Sequence, residues 1–326
     1  MKFLPALLAS TLSLLLTQIA SAHEYEALMK ARKYAEAEKA ANIKLSSDAN
    51  NADALLVKAD LVLAEGKLDK LDEAAKYAEQ CITAHPQLSD CHEMLGNVLG
   101  AKATSGSMFA AMSYAGKIRD AFIKAVELDP KNFSARGSLL QFYLQAPAIA
   151  GGGKSKAQNL VVETAKINSA AGSLLQASVD LADDKFASAE TAALTAIPGN
   201  IEALVKMQRS ILYNLGSNYV MQKKFVDAER VFGEVQQRFP DKFHGAFGMG
   251  RAMQEQGKYK EAVAWFEKAQ NLESNAGIYY RLGQCLLAIN DKPRAISYFE
   301  KSINTKPALS KKLRADAEDQ LKSLKS

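Results

Sequence analysis

Apolar residues recur at intervals of three and four along almost the whole chain, and strictly alternating runs are nearly absent. The pattern therefore predicts helices and no sheet. It is clearest from Arg209 to Pro307, where one helical hairpin recurs three times. Gly216, Gly250 and Gly283 stand 34 and then 33 residues apart. A large apolar residue precedes each glycine (Leu215, Met249, Leu282), and another follows three positions later (Tyr219, Met253, Leu286). Twelve residues after each glycine comes an alanine (Ala228, Ala262, Ala295), and four beyond that a phenylalanine (Phe232, Phe266, Phe299). Two antiparallel helices approach closely only where a side chain is nearly absent. The small residues thus mark crossings, and the bulky ones fill the space between them.

A 34-residue period with this pattern resembles the tetratricopeptide repeat (TPR). The resemblance implies an all-α fold, a right-handed TPR superhelix of about seven or eight hairpins closed by a C-terminal capping helix. Further hairpins are expected upstream. Tyr25 to Asn51 make a partial repeat and residues 52 to 86 a full one ending at Pro86. Leu95-Gly96 open another that closes at Pro130, and residues 131 to 168 and 169 to 198 form two degenerate repeats. The hairpin opened at Gly96 is about ten residues too long. Met108, Met112, Ala115, Ile118, Phe122 and Val126 fall on one helical stripe, so the excess is expected to lengthen its second helix. After Pro307, leucines 309, 313, 321 and 324 interleave with charges as the cap that a solenoid needs. The turn at Ile197 to Asn200 is the best internal boundary, though repeats continue across it. It sets an N-terminal region, 23–198, with elongated and Gly-rich insertions, apart from 199–326, which holds the regular repeats at 209–307 and the cap.

Residues 1–22 read differently. Lys2, the apolar run from Leu7 to Ile19 and the small site Ala20-Ser21-Ala22 make a cleavable secretory signal peptide, so a periplasmic protein starting at His23 is expected. The chain has 41 Lys and Arg against 36 Asp and Glu, a net charge of +5. These charges are interspersed along helices, which argues against a nucleic-acid partner. In an oxidising compartment three cysteines permit one internal disulfide. Cys81 and Cys91 flank the turn at Pro86 on adjacent antiparallel helices, within bridging reach. They pair, or both serve as small buried residues at a close crossing; Cys285 is left over.

At "GSMFAAMSYAGKIRDAFIKAVELDP" and "QFYLQAPAIAGGGKSKA" the chain resembles a subgroup of exported bacterial TPR proteins, among them those that accompany tripartite periplasmic (TRAP) transporters. That resemblance implies a non-enzymatic protein that holds a partner or ligand, either a peptide-binding scaffold or a ligand-binding accessory of a transporter. Its Gly-rich loop is Pro147, Gly151, Gly152, Gly153, Lys154 and Ser155. Gly-Lys-Ser also ends phosphate-binding loops. Here Ala148 stands where the first glycine of such a motif belongs, and a helix precedes the loop instead of a strand, so a tight turn explains it. Scattered histidines give no metal-site spacing, and no catalytic constellation, cofactor site or metal site is expected.

The remaining candidate is the concave groove. In TPR proteins the first helix of each hairpin lines it, and ligands meet the positions three before and one after the glycine. Those positions are Tyr213 and Ser217, Phe247 and Arg251, and Tyr280 and Gln284. Aromatic residues and arginine are the types enriched at binding hot spots. The alternative is that the rings only pack against neighbouring hairpins. The Lys and Asn that grip acidic C-terminal tails in chaperone-binding TPRs are replaced by Tyr213 and Ser217, so that recognition is not expected. A protein or peptide partner follows, with a small molecule or transporter subunit as the other option.

Overall fold

The computed structural model describes residues 25–325, so the signal peptide and His23 lie outside the described residues. Every regular element among the described residues is helical. The chain forms two compact units that divide between Gly152 and Gly153, inside the Gly-rich loop.

The first unit holds α1 (residues 25–30), α2 (Tyr34–Ser47), α3 (Ala52–Ala64), α4 (Leu71–Ala84), α5 (Ser89–Ser105), α6 (Met108–Leu128) and α7 (Phe133–Gln145), then a 3-10 turn at Ala148–Ala150. Consecutive helices from α2 onward pack on one another, and α3 also touches α5. Buried Tyr25 anchors α1 in a cluster with Ala41 of α2 and Ala54 of α3. Asparagine caps set several helix starts: Asn51 and Asn132 accept from the backbone N–H of Ala54 and Ala135 at 3.1 and 2.9 Å. Such a side chain satisfies one of the donors that a helix N-terminus leaves unpaired.

The second unit holds α8 (Lys154–Ile167), α9 (Ser169–Ala182), α10 (Phe186–Thr195), α11 (Glu202–Met221), α12 (Phe225–Arg238), α13 (His244–Glu255), α14 (Tyr259–Leu272), α15 (Ala276–Ala288), α16 (Lys292–Asn304) and α17 (Lys311–Lys325). From α9 on, each second helix packs on its own first helix and on the first helix of the next repeat, and α9, α11 and α13 touch in sequence. Packing continues across Pro198, where α11 contacts both α9 and α10. The compact units themselves part between Gly152 and Gly153. Finally, α17 lies on α16 with Ala317 fully buried, and Leu309, Leu313, Leu321 and Leu324 pack on the last hairpin's core.

The glycines explain how each hairpin closes. A Cβ on Gly216, Gly250 or Gly283 would meet the ring of Phe232, Phe266 or Phe299 at 2.6, 2.6 and 2.8 Å. All three phenylalanines are fully buried. Gly96 opposes Phe122 in the same way at 2.4 Å, but from ten residues further away in sequence. Both helices absorb the excess: α5 has 17 residues and α6 has 21, against 12 and 14 in α13 and α14. The insertion was expected in the second helix alone. The stripe read from it is also buried only in part. Ala115, Ile118 and Phe122 are buried, whereas Met108 and Met112 are 83% and 40% exposed. The far ends of two lengthened helices outrun the neighbouring hairpins that would cover them.

Candidate partner-binding face

On α11, α13 and α15, residues four apart share one face. The stripes are Arg209, Tyr213 and Ser217; Phe247 and Arg251, with Phe243 at the cap just before α13; and Ala276, Tyr280 and Gln284. Each aromatic residue three before the repeat glycine backs onto the phenylalanine of its own hairpin. Ring centroids are 5.8 Å apart for Tyr213 and Phe232, 5.6 Å for Phe247 and Phe266, and 6.2 Å for Tyr280 and Phe299. The rings therefore do pack within the fold. Tyr213 and Phe247 nevertheless stay only half-buried.

Polar contacts join neighbouring repeats along this face. Arg251 Nη1 donates to Ser217 Oγ at 3.0 Å and, at a long 3.4 Å, to Tyr213 Oη. Three of the expected residues thus meet. A second chain of contacts runs onward, with Arg281 Nη1 donating to Gln254 Oε1 at 2.7 Å and Gln254 Nε2 to Gln284 Oε1 at 3.2 Å. Gln284 Nε2 then donates to Tyr280 Oη at 2.8 Å, and that hydroxyl donates to Asp316 of α17 at 2.6 Å. Tyr280 is only 6% exposed, so the capping helix takes it out of the open strip. Burial, then its bond to Asp316, pushes its phenol up to about 12.

Three residues absent from the expected set belong here. Arg209 begins the α11 stripe and lies over the Phe239 ring at 5.8 Å. His244 sets its ring edge-on to Tyr213 at 5.6 Å. Arg281 stands two before Gly283, a position that faces the preceding repeat. At its counterpart Gly248 a Cβ would strike Phe232 at 2.2 Å. From the same direction Arg281 reaches back to Gln254 of α13. The available signal was the −7, −3, +1 periodicity for Arg209 and the backward-facing −2 position for Arg281.

The electrostatics of the face are cationic and partly desolvated. Burial holds the Arg209 guanidinium below its usual value. For Arg281 burial acts first and the neighbouring Arg251 charge second. The His244 imidazole is pushed down to about 4 by burial, with help from Arg209 and Lys242. Arg209 Nε, Arg251 Nε and His244 Nδ1 are buried and without hydrogen-bond partners. Folded chains seldom leave such atoms unsatisfied.

The other expected residues fall elsewhere. In the Gly-rich loop Gly151 adopts φ +95°, and a Cβ on Gly152 would overlap the Ala146 carbonyl at 1.8 Å. The Gly151 and Gly152 N–H groups donate to Ala148 and Pro147 carbonyls, at 2.9 and 3.2 Å. Lys154 opens α8 and pairs with Asp183. Those amides and that lysine are engaged within the fold, as a turn requires and a phosphate cradle does not. Ser155 follows on the exposed first turn of α8. Cys81 and Cys91 are joined by a disulfide with Cα atoms 5.5 Å apart, and Cys285 is a buried free thiol. Among the described residues no group of three His, Cys, Asp or Glu side chains comes together as a metal site. No helix among them is long and apolar enough to cross a membrane.

Two family models, both of the tetratricopeptide repeat, match residues 213–277 and 276–309. A tetratricopeptide repeat protein from Parabacteroides merdae is similar in structure, with 14% identity over 95% of this chain and 99% of that one, at a TM-score of 0.43. A chain of the APC/C hetero-tetramer Cut9-Hcn1 also matches at 14% identity and a TM-score of 0.44, over 90% of this chain and 53% of that one. No curated protein gives a significant match. Apart from Arg209, the residues of the α11, α13 and α15 stripes thus lie within tetratricopeptide repeats that this chain carries from residue 213 to residue 309.

Proposed function

We propose that the protein is a non-enzymatic periplasmic scaffold that holds a peptide or a segment of a protein partner on the first-helix face of α11, α13 and α15. The supporting observation is the junction of Arg251 with Tyr213 and Ser217 across two repeats, with half-buried Phe247 beside it. Fixed aromatic and cationic groups on a rigid layer suit an extended chain, because little entropy remains to be lost on binding. The leader in residues 1–22 and the Cys81–Cys91 disulfide support export to an oxidising compartment. Repeats of this type serve as interaction modules, which favours a polypeptide partner over a small metabolite carried for a transporter.

The test uses a partner recovered from periplasmic extract. Phe247→Ala and Arg251→Ala are compared with Lys260→Ala on α14, after confirming that each variant keeps its helicity and melting temperature. Losing a hot-spot contact costs about 2 kcal/mol or more, roughly thirtyfold in affinity. Both groove variants should weaken binding to that degree, and Lys260→Ala should not. Unchanged affinity in both folded groove variants would remove this face from consideration.

A further inference from the structure

We infer that the bound segment is acidic, and that Arg251 and Arg281 together grip one of its side-chain carboxylates. This rests on the peptide-binding reading above and names the chemistry of its partner.

The arginines of the second unit fall into two groups. On α12, α16 and α17 each has a carboxylate of its own: Arg230 pairs with Glu190 and Asp227, Arg238 with Glu234, Arg294 with Glu267 and Asp291, and Arg314 with Glu318. On the first-helix face the pattern reverses. Arg209 and Arg251 have no carboxylate within ion-pair distance among the described residues. Arg281 has only Glu255, at 3.8 Å and itself half-exposed. Arg251 donates to two neutral hydroxyls, and its Nε is buried without a partner. The Arg251 charge bears on Arg281 more strongly than the opposing charge of Glu255 does.

Two like charges brought together away from water are unfavourable unless an anion lies between them. Among the described residues Glu255 stands 3.8 Å from Arg281 and half-exposed, and Arg251 has no carboxylate in ion-pair reach, yet both guanidinium groups are held in place. Ser217 and Tyr213 orient Arg251, and Gln254 orients Arg281. All of these acceptors are uncharged, so they fix position without neutralising charge. Planar donor forks held in this way match a carboxylate, which accepts parallel N–H bonds from arginine. Phe247, four residues before Arg251 on the same face, would meet the apolar side chains that alternate with the acidic ones.

The experiment uses the full chain and two short fluorescent peptides with amidated C-termini, one alternating Leu with Glu and the other Leu with Gln. Fluorescence anisotropy should show the Glu peptide binding at least about tenfold more tightly, the equivalent of one charge-assisted contact. Arg251→Gln and Arg281→Gln should each bring that ratio close to one and leave the affinity for the Gln peptide unchanged. Phe247→Ala should weaken both peptides. Because Arg281→Gln removes one of two like charges, its melting temperature without peptide should equal or exceed that of the parent. A lower melting temperature with the Glu preference intact would make Arg281 a structural brace and overturn the inference. Equal affinity of the parent for both peptides, with Phe247→Ala still weakening them, would overturn the acidic partner and leave the peptide-binding face standing. Binding of neither peptide, or binding indifferent to Phe247→Ala, would overturn both readings.

Discussion

Phe266 and the glycine opposite it show how much of this fold is decided by single side chains. The Gly250 Cα faces the Phe266 ring, and a Cβ would sit 2.6 Å from it, whereas Gly233 on α12 has nothing within 4 Å. Gly250→Ala should therefore destabilise by about 1–3 kcal/mol, as overfilled cores do. Gly233→Ala should stabilise by about 0.5–1 kcal/mol, because an exposed helix interior favours alanine. Urea titrations of the two variants give both signs at once, and equal effects would contradict the packing described. His244 carries a second residue-scale prediction. Its imidazole has an ordinary value of 6.5 when exposed and about 4 in the fold. Below pH 6.5 the unfolded chain takes up a proton that the folded chain refuses until about 4, so stability should fall across that window and level off beneath it. His244→Gln should remove that part of the pH dependence of melting, and a side-chain titration by NMR should find the ring neutral at pH 5. The repeat glycines and phenylalanines were legible in the sequence because their spacing is strict. Arg281 was legible only in direction: its position two before Gly283 faces the previous repeat, but that it meets Gln254 there depends on a side chain of another hairpin.

At the level of elements, the hairpin turns were readable only in part. Six of them place one residue in the left-handed region: Arg32, Gly66, Asp184, Lys223, Gly257 and Asn290. Only two of those six are glycine, so four turns carry no glycine to mark them. All six are closed by the same backbone bond, from the N–H of the residue after the left-handed one to the carbonyl five residues back, as from Lys224 to Tyr219 at 2.9 Å. The lengthened α5 and α6 show the reverse. The excess length was visible in the sequence, but how two helices share it depends on where neighbouring hairpins stop covering them. The cap behaves as its amphipathic pattern predicts, with Ala317 buried and four leucines on the last core. Truncation after Ala308 should consequently speed amide exchange in α15 and α16 and leave α11 and α12 protected, because a solenoid's stability is summed between neighbours. Exchange rising evenly over all these helices would show that α17 does not act as a local cap.

For the whole molecule, the helical class and the repeat register follow from periodicity, since each hairpin repeats one packing solution. The division into units was less legible. Pro198 and Gly199 interrupt the sequence pattern, yet α9, α10 and α11 pack continuously across them, and the chain divides instead where Gly152 and Gly153 end its first unit and begin the second. The contact that joins α11 to α13 was legible residue by residue at Tyr213, Ser217 and Arg251, with Phe247 half-buried beside it. The loss of Tyr280 beneath α17 was not, because covering it takes a helix from beyond the repeats. The claim that unites these observations is that a polypeptide lies against the first helices of residues 213–309. Site-specific photo-crosslinking in living cells tests it most directly, with a benzoyl-phenylalanine placed at Ser217 on α11 or at Lys260 on α14. Polypeptide adducts at Ser217 and none at Lys260 are the expected result. Adducts confined to Lys260, or absent from both positions, would contradict the claim.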